Sequence, residues 1–86
     1  MTVVPVALVA GGSRGLGLEI ARQLHRRGHH VALCARDEAA LQRAASEFKE
    51  RVSIHVMDVA DREDVQRVVN EISNGSGPCL LYTSDA

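Results

Sequence analysis

Hydrophobic residues along this chain alternate between short unbroken runs and stripes of helical period. The first run, about Val4 to Ala10, predicts a strand, with Pro5 tolerated only at its beginning because proline cannot donate to a ladder. Leu16, Ile20 and Leu24 then recur at i, i+4 and i+8, predicting a helix from about Leu16 to Arg27 with Gly28 in the C-terminal cap position. A second run, His30 to Ala35, predicts a strand followed by a helix opening near Asp37, a good N-cap, with Leu41, Ala44, Ala45 and Phe48 on one face. A third strand is expected over Val52 to Met57. Asp61 would cap a third helix, in which Val65, Val68, Val69 and Ile72 repeat the same spacing. Asn74 to Pro78 reads as a loop. Strands alternating with helices imply parallel pairing through right-handed crossovers.

Between the first run and the first helical stripe stands Gly11-Gly12-Ser13-Arg14-Gly15-Leu16-Gly17. A glycine pattern alone is weak, but a strand before it and a helix after it make the arrangement that grips a dinucleotide pyrophosphate. Gly11 would let the chain reverse sharply at the end of the strand. Gly15 would let backbone approach the pyrophosphate, and Gly17 would let the helix sit close on the sheet. The helix start adds unpaired N–H groups and a partial positive charge. Ser13 would hydrogen-bond phosphate or ribose; no base stands near it in any motif, so it is not read as a nucleophile. A mononucleotide P-loop is disfavoured because no Lys-Ser or Lys-Thr follows the last glycine.

The spacing is Gly-x-x-x-Gly-x-Gly, and the turn Ala10 to Gly17 resembles that of the short-chain dehydrogenase/reductase family. The resemblance implies an α/β, Rossmann-like doubly wound parallel sheet, of which residues 1–78 would form the N-terminal βαβαβα portion. It also implies a nicotinamide dinucleotide cofactor, held by Gly11, Ser13, Arg14, Gly15, Leu16 and Gly17. An acid ending the second strand would favour NAD and a base would favour NADP. The matching position here is the neutral Ala35, followed at once by Arg36, with Arg14 inside the turn as a second base. NADP (NADPH) is therefore expected over NAD. Asp37 also lies about twenty residues after the last glycine but reads as a helix cap. Asp58-Val59, after the third strand, resembles the family's pair that meets adenine, the carboxylate accepting from the amino group and the next N–H reaching a ring nitrogen.

Composition narrows the picture further. Eighty-six residues are few for a doubly wound fold, so the chain is expected to be a fragment. Net charge is −1 and the arginines are scattered, which suggests neither a nucleic acid nor an anionic membrane as partner. Cys34 and Cys79 form no Cys-x-x-Cys or metal spacing and read as reduced thiols of a cytoplasmic protein. The first apolar run has no basic leader and is too short for a signal or a membrane span. His25, His29, His30 and His55 lack metal-site spacing, so no metal is expected.

In this family proton transfer falls to a Tyr-x-x-x-Lys pair with a serine, downstream of an Asn-Asn-Ala-Gly segment. Tyr82 has no lysine four residues on, so no catalytic residue is assigned within the chain. Cys79-Leu80-Leu81-Tyr82-Thr83-Ser84-Asp85-Ala86 resembles a translated sequencing adapter. Residues 79–86 are therefore expected to be a non-native tail, the alternative being a divergent fourth strand in which Leu80, Leu81 and Tyr82 pair. Without a fourth strand, the first would show a long apolar edge and the isolated chain would tend to aggregate. Two functions follow. One is a parent oxidoreductase, for which an oligomer is allowed, moving hydride between nicotinamide and a carbonyl or alcohol carbon of a small molecule. The other is a non-catalytic NADP-binding sensor or scaffold of the same fold.

Overall fold

A computed structural model of the chain describes residues 6–76 and 79–83. In chain order these form β1 (Val6–Ala10), α1 (Gly15–Arg26), β2 (Val31–Ala35), α2 (Glu38–Ala45), β3 (Val52–Val56), α3 (Arg62–Ser76) and β4 (Cys79–Thr83). The strands make one parallel sheet in the order β3-β2-β1-β4. This is the parallel sheet that the alternating pattern predicts, in the open Rossmann-like form that the family resemblance implies.

Each face of the sheet buries its own apolar set, which is why β1 and β2 read as unbroken runs rather than alternating ones. Ala7, Val9, Val31 and Leu33 pack against Leu18, Ala21 and Leu24 of α1 and Leu41 and Ala44 of α2. Val6, Leu8, Ala10, Ala32 and Cys34 pack on the other face against Met57 and against Val68 and Ile72 of α3. β3 lies at the sheet edge and is half-buried from Val52 to His55 with Val56 exposed, which matches its Ser53 and His55.

Helix ends follow local chemistry. Gly28 has a φ of 99°, and the N–H groups of Gly28 and His29 donate to the carbonyls of His25 and Leu24, so α1 closes in a Schellman motif that needs the left-handed glycine. Asp37 Oδ1 accepts from the N–H of Ala40 at 3.2 Å, confirming the cap read from sequence. α2 stops at Ala45, so Phe48 lies beyond it, packed against the same core and tilted on the His25 ring at 4.8 Å. Arg22 of α1 reaches Glu47 at 2.8 Å and Glu19 at 3.0 Å, lashing α1 to the segment after α2.

Two expectations change. Asn74 to Ser76 are the last residues of α3 rather than the start of a loop; the low helix preference of asparagine and glycine costs only about 1 kcal/mol or less per residue, which a helix of 15 residues absorbs. β1 does not show a bare edge either: all five of its residues pair with β4, from Val6 opposite Cys79 to Ala10 opposite Thr83. That ladder is made by backbone groups, which any extended apolar segment can supply, so it is indifferent to the origin of residues 79–86. Val4 and Pro5, and the loop residues Gly77 and Pro78, lie outside the described residues.

Candidate functional site

At the carboxyl ends of β1 and β2 the chain leaves the sheet through two adjoining turns, and a cavity of about 770 Å³ opens between them. That volume falls within the roughly 300–1,000 Å³ of small-molecule sites, at the place where open α/β sheets bind ligands. One wall is the glycine turn, with Gly11, Ser13, Arg14 and Gly15. The end of β2 and α2 supply further lining, with Ala35, Arg36 and Asp37, then Ala40 in the first turn of α2 and Arg43 in its last. Cys34 and Met57 close the bottom, and Val59 stands at the β3 side.

The turn owes its shape to specific backbone contacts. Gly11 has a φ of 76°, and its N–H and that of Gly12 both donate to the Cys34 carbonyl, at 2.8 and 3.3 Å, which ties the turn to β2. Gly17 is packed on that turn: a Cβ there would overlap the Gly11 carbonyl and lie 2.8 Å from its carbon. The sequence reading gave Gly17 the task of bringing α1 close to the sheet; the structure makes the close partner the turn itself. Gly12 is equally confined, since a Cβ would sit 2.9 Å from the Val9 carbonyl oxygen and 3.1 Å from Leu33 Cδ2. Gly15 differs, for its φ is 60° and a Cβ would meet nothing within 4 Å. Open space beside a left-handed glycine in the cavity wall is the cradle that a close backbone approach to a phosphate requires.

The start of α1 is unfinished. Arg14 occupies the N-cap with extended backbone, its side chain caps nothing, and the first turn holds no acid. The N–H groups there face outward with a partial positive charge and no protein partner from a cap. Leu16 is 59% exposed just beyond, and neither it nor Gly17 lines the cavity.

Charge is distributed unevenly among the arginines. Arg22 and Arg67 are held by carboxylates, Arg67 by Asp64 and Glu71, and these partners keep both guanidiniums more firmly protonated than usual. Among the described residues no carboxylate pairs with Arg14, Arg36 or Arg43. Three guanidiniums without a carboxylate partner thus line a cavity in which, among the described residues, the only lining carboxylate is Asp37, already engaged in capping α2.

Asp58 does not line the cavity. Its Oδ1 accepts from the N–H of Ala60 at 2.9 Å, an Asx turn, while its own N–H donates to Asp64 Oδ2 at 2.8 Å. Val59, its neighbour, is in the wall and 58% exposed. Of the residues picked from sequence, the structure therefore brings together Gly11, Ser13, Arg14, Gly15, Arg36 and Val59, and leaves Leu16, Gly17 and Asp58 at the margin. Ala40 and Arg43 were missed. Their signal was a spacing of three residues on a helix that begins at the cavity, a face shared by i and i+3.

Elsewhere among the described residues no group of three or more His, Cys, Asp and Glu side chains is placed to hold a metal, and no helix is long and apolar enough to cross a membrane. His30 and His55 meet on Ser53, their Nε2 atoms 3.2 and 3.0 Å from its Oγ. Partial burial lowers the basicity of both rings.

Comparison with known proteins agrees with this arrangement. The family model for short chain dehydrogenases matches residues 5–79. The chain is 34% identical over 67 residues to the 3-oxoacyl-[acyl-carrier-protein] reductase FabG of Rickettsia conorii, covering 78% of this chain and 28% of that protein. It is 38% identical over 71 residues to a tropinone reductase homologue of Arabidopsis thaliana, covering 79% and 26%. Among solved structures, a variant of actinorhodin polyketide ketoreductase with NADPH superposes at a TM-score of 0.84 with 33% identity, over 93% of this chain and 32% of that one. A short chain dehydrogenase from Bacillus anthracis gives 0.80 with 27% identity, over 87% and 32%. The chain thus spans roughly a third or less of the length of each of these relatives. With the strand, glycine turn and helix matched within residues 5–79, the chain belongs to the short chain dehydrogenase family.

Proposed function

We propose that the cavity binds the adenosine and pyrophosphate half of NADP(H), and that the protein to which this segment belongs is an NADP-dependent oxidoreductase acting on a small carbonyl or alcohol substrate. The observation that carries the reading is the pair of guanidiniums, Arg14 and Arg36, that pair with no carboxylate of the described residues and line one cavity beside the open Gly15 cradle. The residues present fit the cofactor. The uncapped first turn of α1 and the turn at Ser13 to Gly15 receive the pyrophosphate. Arg14 and Arg36 converge on the ribose 2′-phosphate through charge-assisted hydrogen bonds, and the neutral Ala35 leaves the 2′ position free of carboxylate repulsion. Val59 supplies an apolar contact and a backbone N–H for adenine, with Asp58 behind it in sequence as the acceptor. When bound, the cofactor supplies or accepts hydride; the residues here hold and orient it. The relatives named as reductases, and the ketoreductase solved with NADPH, support the direction and the cofactor.

Binding titrations of NADPH and NADH test this. Arg36→Asp combined with Arg14→Ala is expected to weaken NADPH far more than NADH, because each guanidinium–phosphate contact contributes about 1.5–3 kcal/mol and the new carboxylate repels the 2′-phosphate. An unchanged preference between the two cofactors would remove both arginines from the site.

A further inference from the structure

We propose that Arg43, in the last turn of α2, is a third specificity-determining residue of the cavity, reading the phosphorylated ribose from the helix side; this rests on the cavity being the NADP(H) site. The glycine turn and the end of β2 carry the bases that sequence patterns point to, whereas Arg43 is contributed by the body of a helix. Its place follows from the cap. Asp37 fixes where α2 begins by accepting from Ala40, and Ala40 and Arg43, three residues apart, then share the face that lines the cavity.

Two observations separate Arg43 from a solvated surface charge. First, it lines the same cavity as Arg14 and Arg36, so three guanidiniums from three different segments bound one volume. Second, no carboxylate of the described residues pairs with it, although Glu38 and Glu47 flank it on or beside the same helix and the arginines Arg22 and Arg67 elsewhere are each held by two acids. A cluster of unneutralised like charges is costly to hold together without an anion, and a dianionic phosphate is the ligand that turns that cost into attraction. Asp37 tempers the cluster but its carboxylate is committed to the Ala40 N–H. A guanidinium in this position is matched to a phosphate monoester, which offers several oxygens, rather than to the bare ribose hydroxyls of NAD.

Titration calorimetry on the 86-residue chain with adenosine 2′,5′-bisphosphate and with adenosine 5′-monophosphate reads this contact without any turnover. Arg43→Ala is expected to weaken the bisphosphate about tenfold, the loss of one charge-assisted contact, and to leave the monophosphate unchanged. Arg43→Lys should recover part of the loss by keeping the charge but not the planar fork. Arg26→Ala, on α1 away from the cavity, should change neither. Since the Arg43 guanidinium pairs with no carboxylate of the described residues and alanine favours helix, circular dichroism should show both variants folded. If Arg36→Ala weakens the bisphosphate and Arg43→Ala does not, or if Arg43→Ala weakens both nucleotides equally, the role given to Arg43 is wrong and the site stands. If the chain binds neither nucleotide, or binds the bisphosphate with no sensitivity to Arg14, Arg36 or Arg43, the cofactor site itself is misplaced and this inference falls with it.

Discussion

At the start of α3, Asp61 Oδ1 accepts from the N–H groups of Glu63 and Asp64 at 3.0 and 3.3 Å, and both of those residues add negative charge to the first turn. At the start of α1, the N-cap is Arg14, its side chain caps nothing, and no acid follows. Both helices leave the carboxyl side of the same parallel sheet. One has closed its own dipole with carboxylates, and the other presents its N–H groups and adds a base and a left-handed glycine beside them. A helix start that the protein does not neutralise is available to an external anion, and α1 is the start that opens on the cavity.

The largest test of that contrast lies in the glycines. Gly17→Val forces a side chain into the backbone of the Gly11 turn and is expected to cost about 3 kcal/mol or more, removing the cooperative melt or lowering its midpoint sharply. Gly15→Val meets open space but must hold a β-branched residue at a φ of 60°, a strain of about 1–2 kcal/mol, and it fills the cradle. It should therefore stay folded and lose NADPH. A Gly15→Val chain that binds NADPH as before would show that the open side of the turn holds no phosphate.

A smaller and sharper test is to finish α1 in the way α3 is finished. Arg14→Asp places a carboxylate at an N-cap whose backbone is already extended, so it should accept from the first-turn N–H groups and stabilise the fold by about 1 kcal/mol. The same change withdraws those N–H groups and one guanidinium from the cavity. Thermal melts and cofactor titration are expected to move in opposite directions, the midpoint up and the NADPH affinity down. Parallel movement of the two would mean that the start of α1 is left open for some reason other than an anion.

Much of this was legible in the chain because the relevant signals are local. The strands, the helices, the Gly28 end of α1 and the Asp37 cap follow from periodicity and from side chains acting on backbone within four residues. The glycine turn was legible for the same reason, since strand, turn and helix are contiguous. What escaped depended on contacts between distant segments. Gly12 looks like a spare glycine until Val9 and Leu33 are brought beside it. Arg43 looks like one more charge on the solvated side of α2 until that helix docks with Ala40 and Arg43 along the cavity. Asp58, expected to meet adenine from its place after β3, also holds the Ala60 N–H on its Oδ1, a contact that sequence does not display. The extension of α3 through Asn74, Gly75 and Ser76 likewise runs against local preference, and the pairing of β4 with β1 gives the crossover a fixed end.

The smallest expected effect concerns acid. Asp64 lies at the protected helix start, where the Asp58 N–H and then the Arg67 guanidinium hold its carboxyl below the ordinary value of 3.8. A carboxylate whose folded pKa is depressed contributes stability that is complete above the unfolded pKa and is lost as pH falls through the folded one. The start of α3 should thus loosen only below about pH 3.8, whereas the start of α1, which has no carboxylate in its first turn, has nothing to titrate there. Amide resonances followed by NMR from pH 6 downward should show the Asp58 N–H shifting and losing protection in that range, while the Gly15 to Gly17 amides hold their positions until the whole chain unfolds. Asp64→Asn should abolish the early transition at Asp58 without altering the α1 amides. Simultaneous loss at both helix starts would mean that acid acts through the shared sheet, and that the two N-termini are not finished independently after all.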